Sequence, residues 1–335
     1  MAACRNQQST CQRYPPARAK DYARKDRPAA AARSKVRVHQ GGGLLHPRGD
    51  PPLSSNKRET MELELKYPRK RAFVTGAASG LGLALCEHLA ARGWRLLIAD
   101  INAPRLAEAD KKLQSLGATT LPVVLDVTDY QALEKAAELM VQNWTGVDLV
   151  FNNAGVAICG AIDELSLDDW QKTIDVDLWS VIYGCKIFAP ILKQQGGGHI
   201  INTASSAGTL AAPEMACYNV AKAGVVSLSE TLKAELKKDD IGVTVICPTV
   251  FATALGESLT GGRPMEQSLI QQLERSTVSA REISDDVIRA IEKDRLYVIS
   301  QVDARWGWRL KRLAPESFYN IIAYLYRKKK WIFAD

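Results

Sequence analysis

The sequence predicts an α/β fold in which helices cover both faces of a doubly wound parallel sheet of about seven strands. Three observations predict it. Short apolar runs alternate with amphipathic stretches of helical length, most of these runs are continuous rather than alternating in polarity, and a glycine-rich turn follows the first run. Continuous apolar runs are typical of strands buried on both faces, and a regular alternation of strand and helix indicates a parallel sheet.

The predicted elements occupy the middle of the chain. Strands are predicted at residues 72–75, 95–99, 120–125, 149–152, 199–203, 243–247 and 296–299. Helices are predicted near residues 81–92, 104–116, 129–144, 167–195, 217–238 and 281–293. The chain therefore divides into three segments: a basic N-terminal extension at 1–67, a folded domain at 68–303, and a basic, aromatic C-terminal extension at 304–335.

Composition and charge exclude several classes of protein. Of the 335 residues 46% are hydrophobic and 24% are charged, which excludes a fully disordered chain, and no apolar run approaches the ~18 residues of a spanning helix. The net charge of +7 belongs to the extensions: residues 1–60 carry 13 Lys and Arg against 4 Asp and Glu, and residues 304–335 carry 8 against 2. The body between them is acidic, which argues against a nucleic-acid-binding domain.

Cysteine usage indicates a reduced protein of the cytoplasm. The cysteines form no CxxC pair and most lie in apolar segments, where a free thiol behaves as a small hydrophobic group. Neither a disulfide framework nor a metal site is expected. The seven positions are Cys4, Cys11, Cys86, Cys159, Cys185, Cys217 and Cys247.

Three interpretations of the N-terminal extension remain open. Its proline pairs, its many arginines and its run of three glycines at 41–43 favour a disordered tail. Its Arg-rich, acid-poor composition also suits a mitochondrial transit peptide, although prolines interrupt the candidate amphipathic helices. The third interpretation is an over-long gene model, because Met61 lies shortly before the first strand, where a domain would naturally begin.

A glycine-rich turn, TGAASGLG, joins the first predicted strand to the first predicted helix. Such a junction directs backbone N–H groups and the positive end of the helix dipole to one point. Glycine lets a pyrophosphate approach the backbone closely, so the turn is a candidate dinucleotide site. Its candidate binding residues are Thr75, Gly76, Ser79, Gly80, Leu81 and Gly82.

Asp100 ends the second predicted strand, about 20 residues beyond the glycine turn. At this position an acid accepts hydrogen bonds from the adenosine ribose hydroxyls and repels a 2′-phosphate. No Arg or Lys lies within the turn or immediately after Asp100. Both facts favour NAD(H) over NADP(H), and the alternative is a solvated acid at a strand end.

The spacing TGxxxGxG resembles the cofactor signature of the short-chain dehydrogenase/reductase family, which has a Rossmann-type fold. The resemblance extends from about residue 71 to residue 299. Asp126 and Val127, after the third strand, resemble the family's adenine contact. Residues 152–155 read NNAG, the motif that supports the family's central sheet beside the cofactor. The resemblance implies further cofactor contacts from Asn153, Ala154, Gly155, Tyr218, Lys222, Pro248 and Thr253.

Tyr218 and Lys222 are spaced i and i+4, so they share one face of the predicted helix. Tyrosine ionises near pH ~10, and a neighbouring ammonium together with a positive nicotinamide ring would favour the phenolate. Tyr218 could then exchange a proton with an alcohol or a carbonyl near neutral pH. The spacing alone is a weak signal, because Tyr324 and Lys328 share it and are assigned no catalysis.

Ser205 distinguishes the setting of Tyr218, because it lies thirteen residues upstream and just beyond the fifth strand. Family members carry their catalytic serine at this separation. The resemblance implies that Ser205 hydrogen-bonds the reacting oxygen, that Tyr218 is the general acid/base, and that Lys222 binds the nicotinamide ribose and tunes Tyr218. Ser206 is the adjacent alternative and is expected to shape the loop.

Two positions depart from the family pattern. Asp177 stands where the family has a fourth catalytic residue, an Asn that binds a water. An ionised Asp accepts hydrogen bonds from such a water but cannot donate one. We expect Asp177 to hold Lys222 protonated and to alter the pH dependence while activity survives. The second departure replaces the family's PG element by Pro248-Thr249, and Thr253 keeps the position beside the nicotinamide carboxamide.

These features predict an NAD(H)-dependent oxidoreductase that acts on an apolar alcohol or on the matching ketone or aldehyde. The alternative, favoured only by Asp177, is an NAD-binding regulatory protein with little or no turnover. A homodimer or homotetramer is expected, and residues 254–276 have the character of a mobile lid that sets specificity. The predicted pocket wall is apolar and some of it fills core: Val156, Ala157, Ile158, Leu210, Ala211, Ala212, Met215, Val250 and Phe251.

Aromatic residues and cations alternate in the C-terminal extension between residues 306 and 331. This composition suits peripheral contact with a membrane interface. It also suits a helix that docks on a subunit partner or near the lid. The apolar stretch is too short to span a bilayer.

Overall fold

Seven strands form one parallel sheet in a computed structural model that describes residues 62–259 and 263–328. Their order across the sheet is β3-β2-β1-β4-β5-β6-β7, and every neighbouring pair is parallel. This confirms the predicted doubly wound fold. The strands are β1 (Arg71–Thr75), β2 (Arg95–Asp100), β3 (Thr119–Val124), β4 (Leu149–Asn152), β5 (Gly198–Thr203), β6 (Ile241–Ile246) and β7 (Tyr297–Val298).

The six predicted helices are present, and further helices occur near the site and at the C-terminal end. A π-helical turn, Asp175–Trp179, joins α4 to α5, and 3₁₀ turns occupy Lys237–Asp239 and Ala254–Ser258. The α-helices are α1 (Gly80–Ala90), α2 (Ala103–Ser115), α3 (Tyr130–Trp144), α4 (Leu167–Ile174), α5 (Ser180–Gln195), α6 (Ser206–Leu210), α7 (Ala216–Glu235), α8 (Pro264–Arg275), α9 (Ala280–Glu292), α10 (Val302–Leu313) and α11 (Pro315–Arg327).

The side chains of each central strand divide between two hydrophobic cores. Ala72 and Val74 of β1 pack with α1, α2 and α9, whereas Phe73 between them packs with α3, α5 and α7 on the opposite face. Successive side chains of a strand point to opposite faces, so all five residues of β1 are buried. This explains why the strands read as continuous apolar runs.

A buried ion pair joins the amino ends of β1 and β4. Arg71 Nη2 lies 2.8 Å from Asp148 Oδ1, and the two side chains are 1% and 9% exposed. The second carboxylate oxygen accepts hydrogen bonds from the backbone N–H and Nε of Arg71. Because the carboxylate is fully bonded, the pair satisfies both charges within the interior.

A hydrogen-bonded chain crosses the same end of the sheet through a buried histidine. The Tyr67 hydroxyl lies 3.1 Å from His199 Nδ1, and His199 Nε2 lies 2.8 Å from Thr244 Oγ1. The Thr244 hydroxyl donates its proton to the Arg295 carbonyl, so its oxygen can only accept a hydrogen bond from His199 Nε2–H. The other ring nitrogen, Nδ1, therefore carries no proton and accepts a hydrogen bond from the Tyr67 hydroxyl. The ring is neutral in this arrangement, and burial lowers the pKa of His199 to about 3.

The start of the folded body corrects the boundary expected at residue 68. Residues 62–66 form a helical turn, and Leu63 and Tyr67 are buried in the core with α1 and α9. The described part of the predicted extension therefore belongs to the body. The three interpretations of the N-terminal extension otherwise concern residues 1–61, which lie outside the described residues.

The C-terminal extension forms two helices, α10 and α11, over its described part. They lie against the segment that follows Ser205: Lys311 donates a 2.7 Å hydrogen bond to the Thr209 carbonyl, and the Tyr319 hydroxyl donates a 3.4 Å bond to the Leu210 carbonyl. Within residues 62–259 and 263–328, no helix combines the length and the apolar character needed to cross a membrane.

Candidate active site

A cleft of ≈ 570 Å³ opens at the carboxyl ends of β1 and β4, where the strand order reverses. Ligands of doubly wound folds bind at this topological switch point. Thr75, Gly82, Asp177 and Ser205 lie behind its surface, in contact with residues that line it. The sequence-predicted residues that line the cleft are Gly76, Ser79, Gly80, Leu81, Asp100, Asp126, Val127, Asn153, Ala154, Gly155, Tyr218, Lys222, Pro248 and Thr253.

The glycine turn has a shape that only glycine permits. Gly76 has φ of +62°, and a Cβ there would lie 2.9 Å from the Cα of Ala154. A Cβ on Gly82 would overlap the carbonyl oxygen of Gly76. Ser79 precedes α1 without a side-chain capping bond, so the N–H groups of the first helical turn are available to an anion. The cradle fits a pyrophosphate.

Asn153 of the NNAG segment ties β4 to the glycine turn. Thr75 Oγ1 accepts hydrogen bonds from the backbone N–H groups of Asn153 (2.9 Å) and Ala154 (3.0 Å). In return, Asn153 Nδ2 donates a 3.0 Å bond to the Thr75 carbonyl, and its Oδ1 accepts from Thr203. These bonds fix the floor of the cleft across β1, β4 and β5.

Asp100 braces the other side of the glycine turn. One carboxylate oxygen accepts a 3.0 Å hydrogen bond from Ala78 N–H and the other accepts a 2.9 Å bond from Asn102 N–H. A cation that could neutralise a 2′-phosphate here would be Arg105, but Arg105 lies 2.6 Å from Glu257. The carboxylate of Asp100 lines the cleft, and the neighbouring cation Arg105 is already paired.

The loops after β3 and β6 complete the cleft. The carboxylate of Asp126 accepts hydrogen bonds from the N–H and the hydroxyl of Thr128. These bonds hold the loop that includes Val127, which lines the cleft. Thr253 lies close to the glycine turn, because a Cβ on Gly80 would be 2.5 Å from its hydroxyl. These contacts bring loops that are far apart in the chain to one surface.

Ser205, Tyr218 and Lys222 converge at one end of the cleft. Ser205 caps α6 by accepting a 3.1 Å hydrogen bond from Ala207 N–H, and it also hydrogen-bonds Tyr218. Tyr218 and Lys222 lie one turn apart on α7, with Lys222 Nζ 5.6 Å from the centroid of the Tyr218 ring. Lys222 is 2% exposed and donates a hydrogen bond to the Thr203 carbonyl.

Asp177 joins this group from the π-helical turn between α4 and α5. Its Oδ1 lies 3.6 Å from Lys222 Nζ and accepts a 2.9 Å hydrogen bond from Val156 N–H. The side chain is completely buried, and Oδ2 has no hydrogen-bond partner among the described residues. Burial raises the pKa of Asp177, whereas Lys222 and the Val156 N–H act in the opposite direction.

The surroundings that the chain itself supplies raise the pKa of Tyr218. Burial raises the pKa of Tyr218, the negative charge of Asp177 raises it further, and the hydrogen bond with Ser205 opposes both. Burial is the largest of these influences, and Asp177, which lies 3.6 Å from Lys222, adds its negative charge in the same buried space. The phenol of Tyr218 is therefore protonated at neutral pH in this arrangement.

Helix α8 occupies the segment expected to be a mobile lid. Its Met265, Leu269 and Leu273 are buried in one cluster with Tyr218. The sequence carried the signals for this helix but they were missed: the three side chains recur at i, i+4 and i+8, and Pro264 marks a helix start. The lid residues 260–262 lie outside the described residues.

Arg263 anchors the start of α8 and was also missed. Its guanidinium lies 2.8 Å from Asp169 and 3.3 Å from Glu266, and it donates a 3.1 Å hydrogen bond to the Cys159 carbonyl. Glu266 is 2% exposed. Nothing in the local sequence identifies this pairing, because Asp169 is 94 residues away.

The predicted pocket wall divides among several environments. Leu210 packs near Gly307 of α10, Ile158 joins a separate cluster with Leu165, and Phe251 joins the core beneath the sheet while it also lines the cleft with Val156. Ala211 has φ of +55° and ends α6. Four members pack in one cluster with Tyr218 and α8: Ala157, Ala212, Met215 and Val250.

Comparisons with known proteins agree with this geometry. The short-chain dehydrogenase family model matches residues 70–263. The chain is 31% identical over 263 residues to 1-deoxy-11-beta-hydroxypentalenate dehydrogenase of Streptomyces avermitilis, which covers 78% of this chain and 93% of the relative. It is 32% identical over 203 residues to D-threitol dehydrogenase of Mycolicibacterium smegmatis, which covers 61% of this chain and 78% of that enzyme.

A solved structure shows the same fold. The short-chain dehydrogenase/reductase of Burkholderia phymatum, crystallised in complex with NAD, is 31% identical and has a TM-score of 0.70. The superposition covers 73% of this chain and 94% of that one. The chain belongs to the short-chain dehydrogenase/reductase family and is an oxidoreductase.

Proposed function

We propose that the protein is an NAD(H)-dependent dehydrogenase or reductase that interconverts an apolar alcohol and its ketone or aldehyde. The observation that carries the proposal is the convergence of Ser205, Tyr218 and Lys222 at the end of a dinucleotide-shaped cleft. A bound nicotinamide supplies or accepts the hydride at the reacting carbon. The chain itself supplies proton transfer, orientation and exclusion of water.

Tyr218 is the group we assign to proton transfer. Its hydroxyl shares a hydrogen bond with Ser205, so a substrate oxygen that replaces part of this contact would meet two donors. Lys222 is held by the Thr203 carbonyl and Asp177, which fixes its ammonium beside the cleft. From this position Lys222 would bind a cofactor ribose.

NAD(H) is the proposed cofactor because the cleft has a negative charge, that of Asp100, where NADP(H) would place its 2′-phosphate. The carboxylate of Asp100 would accept hydrogen bonds from a ribose diol and would repel a 2′-phosphate. Arg105, which could otherwise attract that phosphate, is paired with Glu257. The NAD complex of the Burkholderia phymatum relative is in line with this choice.

An apolar substrate is proposed because the side chains that pack with Tyr218 are hydrocarbon and thioether groups. Met215, Leu259 and the apolar side chains of α8 form one buried cluster with Tyr218. Arg263 lies nearby, but its charge is matched by Asp169 and Glu266 and its guanidinium is not free to bind a substrate carboxylate. Burial of an apolar substrate group against these side chains would stabilise the enzyme–substrate complex by about 25 cal/mol per Å² of buried surface.

A second candidate function is a cofactor-binding regulatory protein with little turnover. One observation favours it: Asp177 raises the pKa of Tyr218 and balances the charge of Lys222. This would hold the phenol protonated and slow proton removal from an alcohol. The intact Ser205–Tyr218 contact favours the enzyme.

The deciding experiment follows nicotinamide absorbance with a panel of apolar secondary alcohols, long-chain primary alcohols and the matching carbonyl compounds. Each substrate is tested in both directions with NAD(H) and with NADP(H). Turnover that disappears in Tyr218→Phe supports the enzyme. Tight NAD binding without turnover on any substrate supports the regulatory alternative.

A further inference from the structure

Helix α10 presents three distinct strips of side chains along its length. Residues spaced by i, i+4 and i+7 share one face of a helix. Ala304, Trp308 and Lys311 form the strip that contacts the body: Ala304 is 3% exposed, Trp308 packs on Tyr297, and Lys311 bonds the Thr209 carbonyl. This contact fixes the direction in which the other two strips point.

An apolar strip lies on the side of α10 opposite the body. It consists of Trp306, Leu310 and Leu313, which follow the contact strip by two residues or about 200° of rotation. Their side chains are 64%, 47% and 84% exposed. Exposed apolar side chains scattered singly are ordinary, but a continuous strip that points away from the body needs a partner.

A cationic strip runs beside the apolar one. Arg305, Arg309 and Arg312 are exposed and lie about 100° from each of the other strips. Arg309 and Arg312 sit over the rings of Trp306 and Trp308 at 5.4 and 5.1 Å. Asp303 is the acid within α10. The helix therefore combines apolar side chains, the indole ring of Trp306 and arginines on its outward side.

We infer that this outward side of α10 docks on an anionic lipid bilayer. Tryptophan and leucine side chains enter the interface between headgroups and acyl chains, and flanking arginines pair with anionic headgroups. A helix of twelve residues is about 18 Å long, so it lies in the interface rather than crossing it. The proposal does not depend on the proposed catalytic activity.

Charge favours a bilayer over a second copy of the chain. In a twofold contact through this side of α10, the three arginines of one copy would come close to those of the other, with Asp303 as the acid available on each helix. An anionic surface complements the arginines instead. The acidic body between residues 61 and 303 would be repelled by such a surface, which orients the molecule with α10 toward the lipid.

The test is co-sedimentation of the full chain with vesicles of phosphatidylcholine alone and of phosphatidylcholine mixed with phosphatidylglycerol. We expect binding that requires phosphatidylglycerol and weakens as salt is added. Leu313→Asn should lower the partition coefficient about tenfold, because one inserted side chain is lost. Arg305→Glu with Arg309→Glu should lower it by more than tenfold, since each lost cation costs about fivefold.

Matched controls separate α10 from other cations and other exposed leucines. Leu167→Asn removes a leucine that is 85% exposed on α4, and Lys111→Glu with Lys135→Glu reverses two exposed charges elsewhere. The basic residues 1–60 are present in every variant, so their contribution cancels. Circular dichroism verifies that each variant is folded.

The proposal is overturned if the wild type does not bind the mixed vesicles, or if the controls reduce binding as much as the α10 variants do. Sedimentation velocity without lipid tests whether a second copy of the chain, rather than a bilayer, covers the apolar strip. If the wild type self-associates and Leu313→Asn alone makes it monomeric while vesicle binding is unchanged, the apolar strip is an interface between copies.

Discussion

The ammonium of Lys222 lies 3.6 Å from the carboxylate of Asp177, and the two side chains are 3% and 0% exposed. A lone ammonium near Tyr218 would lower the pKa of the phenol, whereas a balanced pair does so far less. We therefore propose that residue 177 tunes proton transfer without a change to Tyr218 itself.

Asp177→Asn should shift the pH dependence of alcohol oxidation toward lower pH. Asp177 raises the pKa of Tyr218, so removal of its charge lowers that pKa and makes the phenolate available at lower pH. The measurement is kcat against pH at saturating cofactor, with Asp168→Asn on exposed α4 as the control. Superimposable profiles for wild type and Asp177→Asn would show that Asp177 has no part in the proton path.

Tyr218→Phe should reduce turnover by about two to four orders of magnitude, because it removes the proton-transferring hydroxyl and keeps the ring. Cofactor affinity should be retained. Tyr324→Phe is the matched control, since Tyr324 stands in the same YxxxK spacing but is 54% exposed on α11. Similar losses in the two variants would contradict the assignment of the active site to α7.

Asp100→Asn and Asp100→Ala should both narrow the preference for NAD(H) over NADP(H). The Asn variant keeps one acceptor oxygen, and so one of the two hydrogen bonds from Ala78 and Asn102. It also removes the charge, so weaker repulsion of the 2′-phosphate should raise relative NADP(H) affinity about tenfold. The Ala variant should also weaken NAD(H) binding. Fluorescence titration of both cofactors gives the ratio, and tighter native binding of NADP(H) would refute the role of Asp100.

Much of the site was predictable because it depends on short stretches of sequence. The glycine turn, the NNAG segment and the Tyr218–Lys222 spacing each act through backbone shape or one helix face, which a local pattern encodes. The position of α8 against Tyr218 depends on the ion pair of Arg263 with Asp169, two residues that lie far apart in the chain. The docking of α10 and α11 depends on tertiary contacts to residues 209–210 that no periodicity reveals.

Arg263→Ala should loosen α8 without unfolding the sheet. The variant removes the ion pair with Asp169 and leaves the buried carboxylate of Glu266 without its cation. Loss of partly buried charged hydrogen bonds should accelerate amide exchange in α8 about tenfold. Mass spectrometry of exchange measures this against α9, and Arg289→Ala is the control because Arg289 pairs with Asp286 on an exposed face. Unchanged exchange in α8 would contradict an anchoring role.

His199 should make the free energy of unfolding decrease as the pH falls in mildly acid solution. Its folded pKa is about 3, below the ~6.5 of an unfolded histidine. The contribution is therefore complete above pH ~6.5 and is lost as the pH falls, at up to about 1.4 kcal/mol per pH unit. The free energy of unfolding of wild type and His199→Gln can be measured with denaturant between the folded and the unfolded pKa of the histidine. Plotted against pH, the two curves should converge as the pH falls. Parallel curves would refute the effect.

The five cysteines of the described chain are all free and buried. Burial raises the pKa of Cys159, Cys185 and Cys247 to about 12, so at neutral pH almost none of each is the reactive thiolate. Alkylating reagents would therefore modify these sulfur atoms at a rate set by how often the surrounding structure opens. Cys159 lies beneath α8, whereas Cys185 and Cys247 lie in the core of the central sheet. The order in which the three thiols react would separate local lifting of α8 from opening of the whole domain.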